Sequence, residues 1–514
     1  MKKNPAIQSI KLICGFFCFA SAPVLFAQVA PDDSRPFGQG QVIDLPGTTD
    51  YLGDITHEIT LLPDGPSYHT LAGMEAEEPG WRDWMYSPRL NTTTVGIFFD
   101  DIPYPFESSS ILNWMPPAGK VALLDFPAGA WWGPGASLGA VQLQSPTLTS
   151  PLQTQGSVWG GTGGFGGGMA QYENQNMSIT GNYQHGVLPG SSPFDSFSTM
   201  SKINWIKNDS FKLESGFLGS QWFSNDSWYS FYTSLKINSP NFQSIQIKPF
   251  LQSARLGNQD VQELGANVQY QLNLAGLIES HLVAGGSRDY FGSSTEPEGL
   301  KKEFIQNAET FDALGFINGD LAFRWDFSDA YKTIFSTLIG LQGNLGDFFL
   351  LGNYAKGTDP GTLQDTQQVD LGVRCQPDDV WNLSCHYLHE QIGTMLWDGA
   401  KVKLQLNHDS PLLLVFKRMK VEVTEEPLEE EGGTWINDIG GELQFGFFER
   451  DKFWFKGRGL SEQPFYSEIG ADYSVSDHLG IFVSVSNLDN LPASWPDPLS
   501  VEGRIFWFGI ESKS

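Results

Sequence analysis

The chain has 514 residues and a formal net charge of −28, from 59 Asp and Glu against 31 Lys and Arg. That surplus of carboxylates excludes a general nucleic-acid binder, because phosphate recognition needs excess Lys and Arg. Eight histidines and four cysteines show no paired metal-ligand spacing, so no metal centre and no cofactor is expected.

The chain begins with Lys2, Lys3 and Lys11, then an apolar stretch from Leu12 to Phe26, then Ala27 as a small residue at a cleavage position before Gln28. Residues 1–27 therefore read as a secretory signal rather than a spanning helix, because the apolar run is short and a small-residue site follows. Removing three lysines and no acids takes the charge from −28 to −28 − 3 = −31. Beyond Ala27 no apolar run reaches the roughly 18 to 20 residues that a spanning helix needs. The exported product is either soluble or a barrel. Three zones follow: residues 28–60, rich in Pro, Gly and Asp, as a mobile periplasmic leader; residues 61–150 as a compact unit rich in Trp and Pro; and residues 151–514 as strands.

The most specific signal lies in the middle zone. Val95-Gly96-Ile97-Phe98-Phe99-Asp100-Asp101-Ile102-Pro103 is followed by Leu123-Leu124-Asp125-Phe126-Pro127, then Trp131-Trp132-Gly133-Pro134-Gly135 and Leu138-Gly139-Ala140-Val141. This resembles the plug domain of TonB-dependent outer-membrane receptors. There an apolar strand ending in Asp-Gly-x-Pro precedes a Leu-Arg-Gly-Pro turn and a Tyr-Gly-x-x-Ala-x-Gly-Gly-Val-Ile segment. Asp100, Asp101 and Pro103 stand in the first element, and Pro127, Gly133 and Gly139 keep the spacing of the second. The resemblance implies a plug inside a barrel lumen and uptake of a scarce solute: a small molecule, a metal chelate or a glycan. It further implies a TonB-type inner-membrane energy-coupling complex acting on the leader, for which Val42, Ile43, Asp44 and Leu45 are the best candidate contact.

Departures from the family pattern are as informative. Its plug arginines fall on Ala72 and Asp125, its nearby glutamate on Ala122, and Asp101 replaces a turn glycine. Those family charges lock plug to barrel, so their loss leaves a second reading open: a passive or structural outer-membrane barrel that keeps the plug without the coupling. An aromatic insertion, Trp81, Arg82, Trp84 and Tyr86, is suited to stacking on a ring or sugar of a ligand, and equally to forming the plug's own small core. Trp131 and Trp132, within the motif turn, are read as packing against the wall.

From about residue 150 the chain alternates apolar and polar residues in ten-residue runs separated by turns. In 203–217, Ile203 and Trp205 share one face, Asn208 and Asp209 turn, and Phe211, Leu213, Ser215 and Phe217 resume that face. A period of two marks strands with unlike sides. Tight turns are predicted near Asn174, Asn208, Pro240, Ala275, Asn318, Leu345, Asp378, His408, Arg450 and Asp477. Ten hairpin turns join 20 strands, and one more at each end gives 20 + 2 = 22, a size at which outer-membrane barrels carry a plugged lumen. The Gly-rich run 155–168 is either a linker or a first strand pair low in side chains. Faces are assigned too: Leu321, Phe323, Trp325 and Phe327 toward lipid against Arg324 and Asp326 toward the lumen. A sandwich or propeller also alternates, but aromatics recur near these turns as interfacial girdles do, and no blade-length motif repeats.

The expected fold is thus an all-β transmembrane protein, a plugged antiparallel barrel in the outer membrane of a Gram-negative-type bacterium, with outer-membrane lipid around it. The segment Ile505-Phe506-Trp507-Phe508-Gly509-Ile510 looks like the family's last strand, although Glu511-Ser512-Lys513-Ser514 follow it. Cys375 and Cys385 stand on neighbouring strands, paired or free. His386 and His389 point to opposite sides of one strand, and the acidic run Glu425 to Glu431 reads as a solvated loop. No nucleophile-elbow pattern and no catalytic set is legible, so an enzyme is not expected.

Overall fold

In the computed structural model the described residues are 56–59, 96–105, 120–124, 129–136, 140–145 and, from 152 onward, the strands with some of the turns between them. Residues 42–45 and 81–86, Pro127, Gly139 and the acidic run Glu425 to Glu431 lie outside them, as do residues 1–27, expected as a secretory signal.

The N-terminal part forms a five-stranded sheet in the order β1-β4-β5-β2-β3. Its strands are β1 (Thr56–Ile59), β2 (Gly96–Phe99), β3 (Ile102–Pro103), β4 (Lys120–Leu124) and β5 (Ala140–Gln144). A one-turn helix, α1 (Gly129–Trp132), and a 3-10 turn (Pro134–Ala136) lie between β4 and β5. Strand β2 pairs parallel with β5 and antiparallel with β3. This is the plug.

The rest is a closed antiparallel barrel running from β6 (Gln153–Gly161) to β27 (Ile505–Lys513), every strand beside its chain neighbours. Closure is made by β27 against β6, from Trp507 opposite Gly161 to Lys513 opposite Gln155. The strand count from turns is met, at 22. The Gly-rich run proves to be a strand pair, β6 with β7 (Gly166–Glu173). One predicted turn sits slightly off: the reversal expected near Asn318 lies between Ala313 and Ile317, whereas the one near Leu345 follows it directly, made by Gly346, at φ +71°, and Asp347.

Local chemistry explains the reversals. Asn208 Oδ1 accepts from the backbone N–H groups of Ser210 (3.0 Å) and Phe211 (2.7 Å). Asn174 Oδ1 does the same for Asn176 (2.7 Å) and Met177 (2.8 Å). An asparagine that bonds its own following backbone fixes a turn without outside help.

The barrel is inside-out relative to a soluble protein. On β8 (Met177–Val187), Ser178, Thr180 and Asn182 are buried while Ile179 and Tyr183 face outward and are exposed. Across the wall the outward positions carry large apolar side chains such as Phe508 (65% exposed), Val158 (64%) and Leu264 (57%). Apolar area left in water costs about 25 cal/mol per Å², and soluble monomers seldom expose patches above a few hundred Å². Hydrocarbon against that face and polar groups toward the lumen resolve the conflict. Among the described residues no helix is long and apolar enough to cross a membrane.

Candidate functional site: the grip of the wall on the plug

Strands β2 and β3 are joined by two residues only, Asp100 and Asp101, with φ +44° and +68°. Positive φ at both centres is the turn that suits a twisted hairpin, and it favours glycine at the second position. Asp101 occupies that position with a side chain, in a conformation that strains non-glycine residues by the order of 1 to 3 kcal/mol and persists only where the surroundings enforce it.

The surroundings are visible. Asp100 N donates to Leu143 O (2.9 Å), and Asp100 Oδ1 accepts from Ser145 N (3.0 Å), so the turn is tied to β5. Its other oxygen, Oδ2, accepts from the phenol of Tyr232 at 2.8 Å. Tyr232 is on the lumenal face of β11 (Asp226–Ser239). It lies across Gly216 of β10 (Phe211–Trp222), where an added Cβ would meet the ring at 2.2 Å; glycine is what lets the ring lie down there. From β12 (Gln243–Leu256), Lys248 Nζ donates to Asp100 O, sits 3.5 Å from Asp101 Oδ2, and lies 4.4 Å from the Tyr232 ring centroid.

One step along, Pro103 has no N–H to give, but its carbonyl accepts from Gln252 Nε2 at 2.7 Å. Gln252 is oriented by Trp228 Nε1, which donates to its Oε1 at 3.0 Å, and by Glu263 of β13 (Gln259–Leu274). The Tyr104 ring packs on Trp228 with centroids 4.8 Å apart.

A second grip is on α1. Arg324 of β16 (Ile317–Ser328) donates from Nη1 to Trp131 O (3.2 Å) and Gln306 Oε1 (3.3 Å). Its Nε and Nη2 bond the Asp326 carboxylate at 2.9 to 3.0 Å, and its guanidinium stacks 3.7 Å from the Phe304 ring centroid. Gly133 closes the helix at φ +95°, and a Cβ there would come within 2.9 Å of Arg324 Nη2. Glycine is required twice over, by backbone and by space. Phe98 stacks on Trp132 at 5.4 Å, joining the two gripped parts of the plug. Both tryptophans are buried, with the Trp132 ring against Phe98 and Trp131 of the plug itself.

Asp100, Asp101, Pro103 and Gly133 are therefore brought to one interface, while Pro127 and Gly139, with the aromatic insertion and the leader segment, are outside the described residues. The polarity of the lock is the finding the sequence did not deliver. Charge that the family pattern places on the plug is supplied by the wall, through Lys248 and Arg324, to carbonyl oxygens and turn carboxylates of the plug. Arg324 was legible as a lumenal charge; Tyr232, Lys248 and Gln252 carried no signal beyond an inward phase. Further up the lumen, Lys302 meets Asp289 at 2.6 Å, so the wall remains richly charged. His386 is buried against Asp370 (2.8 Å) and His389 faces out to Asp398 (2.7 Å), on opposite sides as expected. Cys375 and Cys385 are not joined in a disulfide; they stand opposite Leu383 and Val373 respectively. Among the described residues no three His, Cys, Asp or Glu side chains converge to hold a metal ion.

Such an arrangement holds the plug by hydrogen bonds and an ion pair together with ring packing of Tyr104 on Trp228. Solved structures share the fold in outline. The siderophore receptor PirA from Pseudomonas aeruginosa superposes with a TM-score of 0.70 at 14% identity, over 90% of this chain and 99% of that one. The fold is that of the TonB-dependent receptors. PirA from Acinetobacter baumannii matches this receptor fold equally well, with a TM-score of 0.70 at 11% identity over 90% of this chain and 99% of its own. The ferric-catecholate import receptor Fiu from E. coli K12 gives 0.64 at 11% identity over 89% and 96%. No protein-family model matches the chain, and no curated protein matches it by sequence.

Proposed function

We propose that this chain is a divergent TonB-dependent-type receptor of a Gram-negative outer membrane, importing a scarce solute through a plugged barrel. In this reading residues 1–27 are removed on export, 28–60 form the leader that an inner-membrane complex pulls, 61–150 form the plug and 151–514 the barrel. The observation that carries it is the polar grip: Tyr232, Lys248 and Arg324 hold the plug by hydrogen bonds that a pull on the leader would have to break. Receptors of this fold include proteins described as siderophore, ferric-enterobactin and ferric-catecholate receptors, which makes a ferric chelate the first solute to try.

The test is accumulation of labelled ferric chelates by cells producing the protein. Uptake is expected to stop when the proton gradient is collapsed and when residues 28–50 are deleted. Uptake that survives both treatments overturns the proposal in favour of a passive barrel.

A further inference from the structure

Two acids and one lysine meet on the lumenal face just beyond Gln252, the side chain that holds the Pro103 carbonyl. Glu263 of β13 and Asp289 of β14 (Ile278–Phe291) stand directly opposite each other, 1% and 4% exposed. Side chains so placed across an antiparallel pair have Cβ atoms about 4.5 to 5.5 Å apart. Glu263 Oε2 accepts from Gln252 Nε2 on β12, and Asp289 Oδ2 pairs at 2.6 Å with Lys302 Nζ of β15 (Leu300–Ala313). Each acid thus spends one oxygen on the strand outside the pair. The other two, Glu263 Oε1 and Asp289 Oδ1, are buried and have no hydrogen-bond partner. They are left on the rung that the two acids share.

The charges do not balance either. Two carboxylates against one ammonium leave 1 − 2 = −1. Among the described residues the other ionisable groups facing this place are already paired: Lys248, earlier on β12, with Asp101, and Asp326 of β16, beyond the Phe304 ring, with Arg324. Ser287, two positions before Asp289 on the same face, adds a hydroxyl beside Glu263 but no charge. Carboxylates this close and out of water resist ionising together, and one proton between them removes the repulsion. A metal cation suits the place less well, because calcium takes about six to eight oxygens, whereas the idle ones here sit beside an ammonium.

We propose that Glu263 and Asp289 share one proton, held between Glu263 Oε1 and Asp289 Oδ1, so that the wall carries a proton-binding site next to its grip on the plug. The proton gives both idle oxygens a partner in one charge-assisted bond. With Lys302 it makes the cluster neutral. Gln252 Nε2 donates to Glu263 and to Pro103 O, so one amide joins the proton site to the plug. The site does not depend on which solute the barrel imports.

The test is infrared spectroscopy of the full-length protein in detergent at neutral pH, reading the carbonyl stretch that only a protonated carboxyl shows. Glu263→Gln is expected to remove one component of that band, while its amide reproduces the bonds of the neutral acid and leaves the unfolding midpoint close to the native protein's. Asp289→Asn is expected to remove the same component, because Glu263 alone beside Lys302 keeps its charge. A band identical in native protein and Glu263→Gln means that no proton is held there and overturns the proposal. A component that survives in Asp289→Asn belongs to an acid protonated by burial alone and overturns the sharing. Loss of the native component on addition of calcium assigns the place to a cation and overturns it as well. Should Glu263→Gln fail to assemble, Asp289→Asn decides by the same band.

Discussion

Tyr232 and Asp100 are 132 residues apart along the chain and joined by a 2.8 Å hydrogen bond, phenol to carboxylate. One carboxylate thus serves two masters, Oδ1 accepting from the plug at Ser145 and Oδ2 from the wall. Loss of the wall's share should loosen the plug without unfolding the barrel.

Tyr232→Phe removes that donor and little else, because the ring still covers Gly216. A hydrogen bond to a charged group contributes about 1.5 to 3 kcal/mol. The expected outcome is a higher conductance in planar bilayers with the barrel's unfolding midpoint nearly unchanged. Conductance equal to the native protein's would mean the bond does not hold the plug.

Arg324 and Asp326 form a pair whose side chains are 9% and 6% exposed. Arg324→Met leaves Asp326 buried and unpaired, a loss of about 3 to 5 kcal/mol. Adding Asp326→Leu should recover most barrel stability, since a buried pair is often no better than an apolar replacement, yet leave Trp131 O without its donor. The double variant is therefore expected to melt like the native protein and leak unlike it.

Asp101→Gly tests the strained turn. Relief of the left-handed conformation gains about 1 kcal/mol, while the 3.5 Å contact of the half-exposed Asp101 with Lys248 contributes between about 0 and 1 kcal/mol. The variant should be neutral or slightly more stable, and Asp101→Val less stable than either. A clear loss on Asp101→Gly would assign the contact with Lys248 more weight than its geometry suggests.

Gly133→Ala places a Cβ against Arg324 at a φ of +95°. Backbone strain alone costs about 1 to 3 kcal/mol, and the guanidinium must also shift. Lower plug protection in hydrogen exchange at 129–136 is expected, with the far wall unaffected.

The barrel was legible because its physics is periodic. Alternation at 203–217, an asparagine at each of two reversals and charges such as Arg324 and Asp326 in one phase gave strand number and facing direction from the chain alone. The turn near Asn318 was set a few residues late because residues on both sides of that reversal suit a strand equally well, and only pairing decides where the ladder stops. The grip was less legible. Contacts between Asp100 and Tyr232 or between Trp131 and Arg324 join segments far apart in the chain, and in each a partner contributes only a phase in a strand or a main-chain oxygen. The motif revealed which plug residues turn the chain; it carried no information about which wall residues meet them.

Because the wall's donors take hold of carbonyl oxygens at 100, 103 and 131, they fasten to atoms every amino acid possesses. At 103 and 131 a changed side chain leaves the gripped acceptor in place, whereas at 100 it would also remove the carboxylate that Tyr232 holds.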